Sequence, residues 1–349
     1  MMTLTKLLEP VKHEEINKKV AEETLLEVQN LKMYFPVKAG IMQRTVGHVK
    51  AVNDITFQVK KGETLGIVGE SGCGKSTMGR SLIRLYEPTG GNILFGGTDI
   101  THLPERELRP LIRRKIQMIF QDPYASLNPR KSLGSILNEP LKAHGLYSNQ
   151  KERDEKIAEL LEVVGLHPSS KSYYPHEFSG GQRQRIGIAR SLVLNPELII
   201  ADEAVSALDV SIQAQVINLL EDLQSKFSLT YIFISHDLSV VRHIADRVGV
   251  MYLGRLVELS NKNDLYTEPL HPYTQALLSA VPIIRKKGVQ SRERIVLKGD
   301  IPSSVNQPTG CVFHTRCPAK MKVCEMKVPE FKEVSPEHFV ACHLYDKNQ

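Results

Sequence analysis

The chain has 349 residues, 41% of them hydrophobic and 24% charged, a balance typical of globular proteins and long enough for two domains or one large domain with additions. Its net charge of +6 is dispersed, and the densest basic run, Arg109 to Lys115, is broken by apolar residues. With no tryptophan and little aromatic–basic interleaving, this argues against a nucleic-acid partner. No stretch approaches the ~18 continuous apolar residues of a membrane span. Met1 to Glu27 lacks the apolar core of a signal peptide, so the expectation is a chain made and kept in the cytosol.

In chain order, residues 1–24 read as a polar, weakly helical lead-in. Leu25 to Val28 and Leu31 to Val37 read as strands, Lys38 to His48 as a loop, and Ala51 to Val59 as a further strand. The apolar run Thr64 to Val68 then leads into Gly69-Glu70-Ser71-Gly72-Cys73-Gly74-Lys75-Ser76-Thr77, and a helix is expected from Met78 to Tyr86. Strand, glycine-rich loop and helix together make the context a phosphate-binding P-loop needs. The glycines let backbone N–H groups turn inward around the phosphates, and the helix N-terminus adds its dipole. Lys75 would reach the β- and γ-phosphates and the Ser76 hydroxyl would ligate Mg²⁺. Cys73, at the helix N-terminus, is either a small residue that fits or a thiol of lowered pKa.

From Gln121 to about Pro196 the texture is helical, and this long stretch reads as an inserted helical subdomain. Ile157, Leu160, Leu161 and Val164 give an amphipathic helix over Lys151 to Val164, and another is expected from Gln182 to Leu194. Leu198 to Ala201 is a buried strand, Val210 to Phe227 a helix, Tyr231 to Ile234 a strand, Leu238 to Asp246 a helix and Val248 to Leu259 a hairpin. Such alternation indicates an α/β core with a parallel sheet. Asp202, at the end of its strand, suits a Mg²⁺ role, and Glu203 is the candidate to orient the attacking water. Phe178-Ser179-Gly180-Gly181-Gln182 opens a second anion-ready helix N-terminus. One nucleotide has no need of two such clamps within one chain, but a second copy of the protein has.

At this point the sequence resembles the ATP-binding cassette (ABC) ATPases, whose signature is Leu-Ser-Gly-Gly-Gln; Phe178 stands here in place of the leucine. The resemblance implies a P-loop NTPase fold: an α/β, RecA-like core with an antiparallel β subdomain, a helical subdomain at about 121–196, and a small Cys-containing C-terminal extension. It places the cassette at 25–265 and the extension at 266–349. It also implies that Gln121 touches Mg²⁺, that Ser206-Ala207-Leu208-Asp209 is the D-loop, that His236 contacts the γ-phosphate, and that Phe35 (or Tyr34) stacks on adenine. Ser179, Gly180, Gly181 and Gln182 would meet the ATP of a partner subunit.

His271-Pro272-Tyr273-Thr274, the expected helix Pro272 to Ala280 and the cysteine-bearing tail resemble the C-terminal extension of oligopeptide and dipeptide importer ATPases. That likeness implies a peripheral subunit at the cytoplasmic face of the membrane. Its expected partners are a second, paired ATPase in a heterodimer, two membrane permeases and an external substrate-binding protein. Nickel or glutathione import, and a soluble non-transport ABC role, stand as alternatives. A cytosolic disulfide among Cys311, Cys317, Cys324 and Cys342 is disfavoured, and their spacing lacks the close pairs of structural zinc sites. Four thiolates are compatible with an iron–sulfur cluster, and the relatives imply a [4Fe-4S] cluster at these positions; free thiols or zinc stay open.

Overall fold

The computed structural model describes residues 24–41, 43–281 and 294–346. The lead-in expected at residues 1–24 lies, apart from Thr24, outside the described residues. The strands are β1 (Thr24–Ala39), β2 (Arg44–Lys60), β3 (Thr64–Val68), β4 (Gly90–Phe95) and β5 (Thr98–Asp99). They continue with β6 (Ile116–Ile119), β7 (Leu198–Asp202), β8 (Thr230–Ile234), β9 (Arg247–Tyr252) and β10 (Arg255–Asn261), then β11 (Lys332–Ser335) and β12 (His338–Val340). The chain divides into two compact units, interleaved along the sequence.

One unit holds residues 27–58, 65–95 and the described residues from 235 onward. Its β3 is buried at every position, the continuous apolar run of a parallel strand covered on both faces. It pairs in parallel with β9, Leu65 opposite Arg247. β9 turns into antiparallel β10 through Leu253 and Gly254, both at positive φ, so the expected hairpin is present. β12 adds to the outer side of β10, Glu258 opposite Val340, and β11 adds to β12. β2, β1 and β4 form a separate sheet. β1 runs unbroken where two strands were expected, and β2 claims Arg44 to His48 from the expected loop. The helix after the P-loop is Lys75–Leu82, shorter than expected: Arg84 takes a left-handed φ of 56° and stops it.

The other unit holds residues 24–26, 59–64 and 96–234. Here β7 pairs in parallel with β6 and β8, with Leu198 opposite both Ile116 and Thr230. Helix Val210–Phe227 is the crossover between β7 and β8 and buries Val216, Ile217, Leu220 and Leu223. Helices Leu133–Ala143, Gln150–Val163 and Gly180–Leu192 fill the stretch expected to be helical, and Ile157, Leu160, Leu161 and Val164 are buried as the periodicity requires. Ser132, Asn149, Ser179 and Asp209 cap their helices, each accepting a backbone N–H that the helix leaves open. No helix among the described residues is long and apolar enough to cross a membrane.

Candidate functional site

The P-loop is shaped by what cannot be added to it. Gly69 has φ +153° and Gly74 φ +105°, and a Cβ on either would fall 2.2 Å from the Met251 carbonyl oxygen or 2.0 Å from that of Ala51. The chain must therefore pass here without side chains, leaving its N–H groups to line the curve. Lys75 is buried, and its Nζ donates to the carbonyls of Gly69 (2.7 Å) and Glu70 (3.1 Å), so the ammonium sits inside the loop's bend. Ser71 and Gly72 at the crown are exposed. Backbone donors, a lysine and the Ser76 hydroxyl in the first helical turn form a donor set that fits a Mg²⁺-bound triphosphate. The lowered Cys73 pKa considered from sequence is not found. Burial pushes this thiol up, and the opposing pull of Lys75 does not overcome it.

β3 also bears on the placement of His236, the residue expected at the γ-phosphate. Ser235 N–H donates to Ile67 O (3.0 Å), which fixes where the chain leaves β8. Asp237 caps helix Leu238–Ile244, and His236 stands exposed between these two anchors. In β1, the Tyr34 hydroxyl donates to Asn53 Oδ1 (2.6 Å), and Asn53 Nδ2 in turn donates to Gln307 (3.0 Å). Tyr34 is thus committed to a polar network. Phe35, its half-exposed neighbour, meets the Tyr86 ring edge-on at 5.4 Å.

In the other unit, β7 delivers a fully buried Asp202 to its C-terminal end. Glu203 follows at φ +48°, a left-handed conformation rare for a residue with a side chain. Its N–H donates to Ile234 O (2.9 Å), and its carbonyl accepts from the Ser206 N–H (3.1 Å) and hydroxyl (3.0 Å). Its carboxylate accepts from Gln121 Nε2 at 2.7 Å. Sequence reasoning named Gln121 and Glu203 separately; the fold puts them in contact.

Ser179 caps helix Gly180–Leu192 in a reciprocal capping box with Gln182, and Ser179, Gly180 and Gln182 are exposed. Phe178, the departure from leucine, is buried against Tyr173, so the change is absorbed inside the fold. Gly181 faces Ile212, whose Cγ2 lies 2.6 Å from where a Cβ would be. In the segment Ser206 to Asp209, Asp209 accepts from Ser211 Oγ and Ile212 N–H, bonds that hold its pKa below the usual carboxylate value.

A family model described as "ABC transporter" matches residues 52–206, and one described as "Oligopeptide/dipeptide transporter, C-terminal region" matches 257–324. The oligopeptide transport ATP-binding protein AppF of Bacillus subtilis is 67% identical over 324 residues, covering 93% of this chain and 98% of that one. The chain belongs to the ABC transporter ATP-binding proteins of the oligopeptide/dipeptide family. Another Bacillus subtilis protein, YkfD, is 59% identical over 321 residues, 92% of this chain and 95% of that one. Among solved structures, a dimeric ATP-binding cassette in a post-hydrolysis state with ADP and Pi matches at 28% identity and a TM-score of 0.61, over 68% of this chain and 99% of that one. The CbiO1 subunit from Clostridium perfringens matches at 27% and 0.59, over 71% of this chain and 92% of that one. The fold is that of an ABC nucleotide-binding domain, and the protein is an ABC ATPase.

Two residues of this ABC ATPase that the sequence did not bring to the nucleotide site touch its P-loop. Glu70 N–H donates to the Tyr273 hydroxyl (2.9 Å), and Arg316 donates twice to the Glu70 carboxylate (2.8 and 3.2 Å). The motif His271-Pro272-Tyr273 was the available signal, but it carried no partner. The tail cysteines lie close enough for their charges to interact. Cys342 is pushed up to about 12 and Cys311 to about 11, in both cases chiefly by burial and further by neighbouring tail thiols. The cluster expected at these positions meets an obstacle: among the described residues no three His, Cys, Asp or Glu side chains are arranged to hold a metal ion. All five cysteines are free thiols.

Proposed function

We propose that this ABC ATPase drives peptide import through membrane permeases, working as one half of a paired cassette. The observation that carries the reading is the exposed, capped signature helix at Ser179 in a chain that already has its own P-loop. Each half-site then waits on the other's signature. Lys75 and the loop N–H groups hold the triphosphate, while Ser76, Gln121 and Asp202 would hold the Mg²⁺. That ion, when bound, offsets charge on the β- and γ-phosphate oxygens. Glu203 orients water in line with the γ-phosphate, with His236 on the phosphate and Phe35 against adenine. Exposed Tyr124, Tyr173 and Tyr174 offer apolar surface in the helical stretch beside Gln121, where a permease would dock. The cassette is assigned to residues 25–265 and the extension to 266–349.

Reconstitution with the co-purifying subunits tests the cargo. Di- or oligopeptides, presented with the external binding protein, should stimulate ATP hydrolysis. Stimulation by nickel or glutathione instead would overturn the peptide reading, and co-purification with ribosomes or DNA would overturn transport altogether. For the tail, we propose a [4Fe-4S] cluster on Cys311, Cys317, Cys324 and Cys342, supported by their mutual proximity and all-thiol donor set. It requires the side chains to rearrange from the protonated packing described above. Anaerobic purification with iron and sulfide near zero would refute it.

A further inference from the structure

Every polar group of Glu70 is occupied. Its N–H goes to Tyr273 and its carboxylate to Arg316, while its carbonyl accepts from Lys75 Nζ and from Cys73 N–H (3.3 Å). The Arg316 fork meets the carboxylate in the two-pronged geometry that makes such pairs strong and directional. The Arg316 side chain is only 9% exposed and that of Glu70 25%, so solvent screens this pair little. Behind them the supports are rigid. Tyr273 is fully buried, with ring contacts to Tyr252 (4.7 Å) and Phe313 (5.4 Å). Its helix, Pro272–Ser279, is capped by His271, while the buried Glu258 carboxylate accepts from the Leu270 and His271 N–H groups. Phe313 and Arg316 lie on the cysteine-bearing segment between Cys311 and Cys317.

We propose that Tyr273 and Arg316 are positioning residues for nucleotide binding: the C-terminal extension grips Glu70 and thereby sets the shape and charge of the loop that receives the triphosphate. A P-loop with a carboxylate at its second position carries the same sign of charge as its ligand. Arg316 neutralises that charge. Tyr273 takes the Glu70 N–H outward, so that the backbone direction at the loop's entry is fixed before ATP arrives. The inference goes beyond the transport reading, because it holds whatever the cargo.

The test uses the full-length chain, with equilibrium binding of ATP and its hydrolysis followed in Arg316→Ala, Arg316→Lys, Tyr273→Phe and the double variant Arg316→Ala, Glu70→Gln. Arg316→Ala should raise the KM and Kd for ATP about tenfold with kcat within about twofold, and Arg316→Lys should recover part of the loss. Tyr273→Phe should weaken ATP binding by a smaller factor in the same direction. The double variant should regain most of the affinity, because the charge that Arg316 offset is gone. A merely structural bridge predicts no such rescue, since the tail stays unanchored in both variants. An unchanged KM in Arg316→Ala, or a double variant as weak as the single one, overturns the proposal.

Discussion

Glu203 shows how much surrounding structure one residue can require. Its left-handed backbone costs of order 1–3 kcal/mol, and the bonds from Ile234, Ser206 and Gln121 over-determine it. Glu203→Gln keeps the size, the φ and a side-chain oxygen for Gln121 Nε2, but loses the basicity that its proposed role of polarising water requires. We expect ATP affinity to stay within about twofold while phosphate release at its own site falls about 10²- to 10⁴-fold; an assembly relying on that site and releasing phosphate at the normal rate would remove Glu203 from its role. The position of Glu203 was legible in the sequence, because it directly follows the apolar run that forms β7. Its contact with Gln121, 82 positions away, was not legible, since no local pattern links them. Of the two readings of Cys73, the small residue that fits is the one the fold supports, for a related reason. A helix N-terminus argues for a thiolate, but burial is a tertiary fact and decided the outcome.

At the scale of elements, long periodic segments read well. Val210 to Phe227 was anticipated to the residue, because a regular apolar stripe over five turns dominates every competing signal. β11 and β12 went unread: runs of four and three residues with polar neighbours owe their conformation to the sheet edge, where β12 joins β10 and β11 joins β12. The helix Pro272–Ser279 gives a pH-dependent prediction. Its cap, His271, is wholly buried, and its Nδ1 accepts the Tyr273 N–H, so it must stay neutral. Burial lowers its pKa to about 4, against a smaller opposing pull from Glu258. Because the folded value lies below the ordinary 6.5, the unfolded chain binds the proton first on acidification. The stabilisation is whole above pH 6.5 and disappears as pH falls through 4, an effect of about 3 kcal/mol. Thermal melts across this window should show wild type losing stability more steeply than His271→Asn, which keeps a capping acceptor without the titration. Parallel curves would argue that His271 charges elsewhere.

At the scale of the whole molecule, the extension is built into the sheet rather than appended to it. Glu258 is fully buried in β10, and His338 of β12 sets its Nε2 2.8 Å from that carboxylate. A chain ending after Glu330 would lose β11 and β12, expose the edge of β10 and leave Glu258 with only its two backbone donors. Taking a hydrogen-bond partner from a buried carboxylate costs about 1–3 kcal/mol, and a bare strand edge invites association. Gel filtration of that truncation should show aggregate; a monomer melting as late as the full chain would show the extension to be dispensable. Motifs alone suggest a cassette and a C-terminal extension, whereas the wiring from the tail to Glu70 has no local signature. Tyr273 and Arg316 belong to no periodic pattern, and only folding brings them to Glu70.

That wiring also imposes an order of manufacture. The P-loop and the arginine that grips it are 246 residues apart, and a ribosome adding 5–20 residues per second needs roughly 12 to 50 s to cover the gap. Throughout that interval the nascent cassette carries a phosphate loop whose acidic residue has no counter-charge. The ATP site is thus translated well before it can be finished, and any message cut short before the codon for Arg316 yields a loop that was never closed.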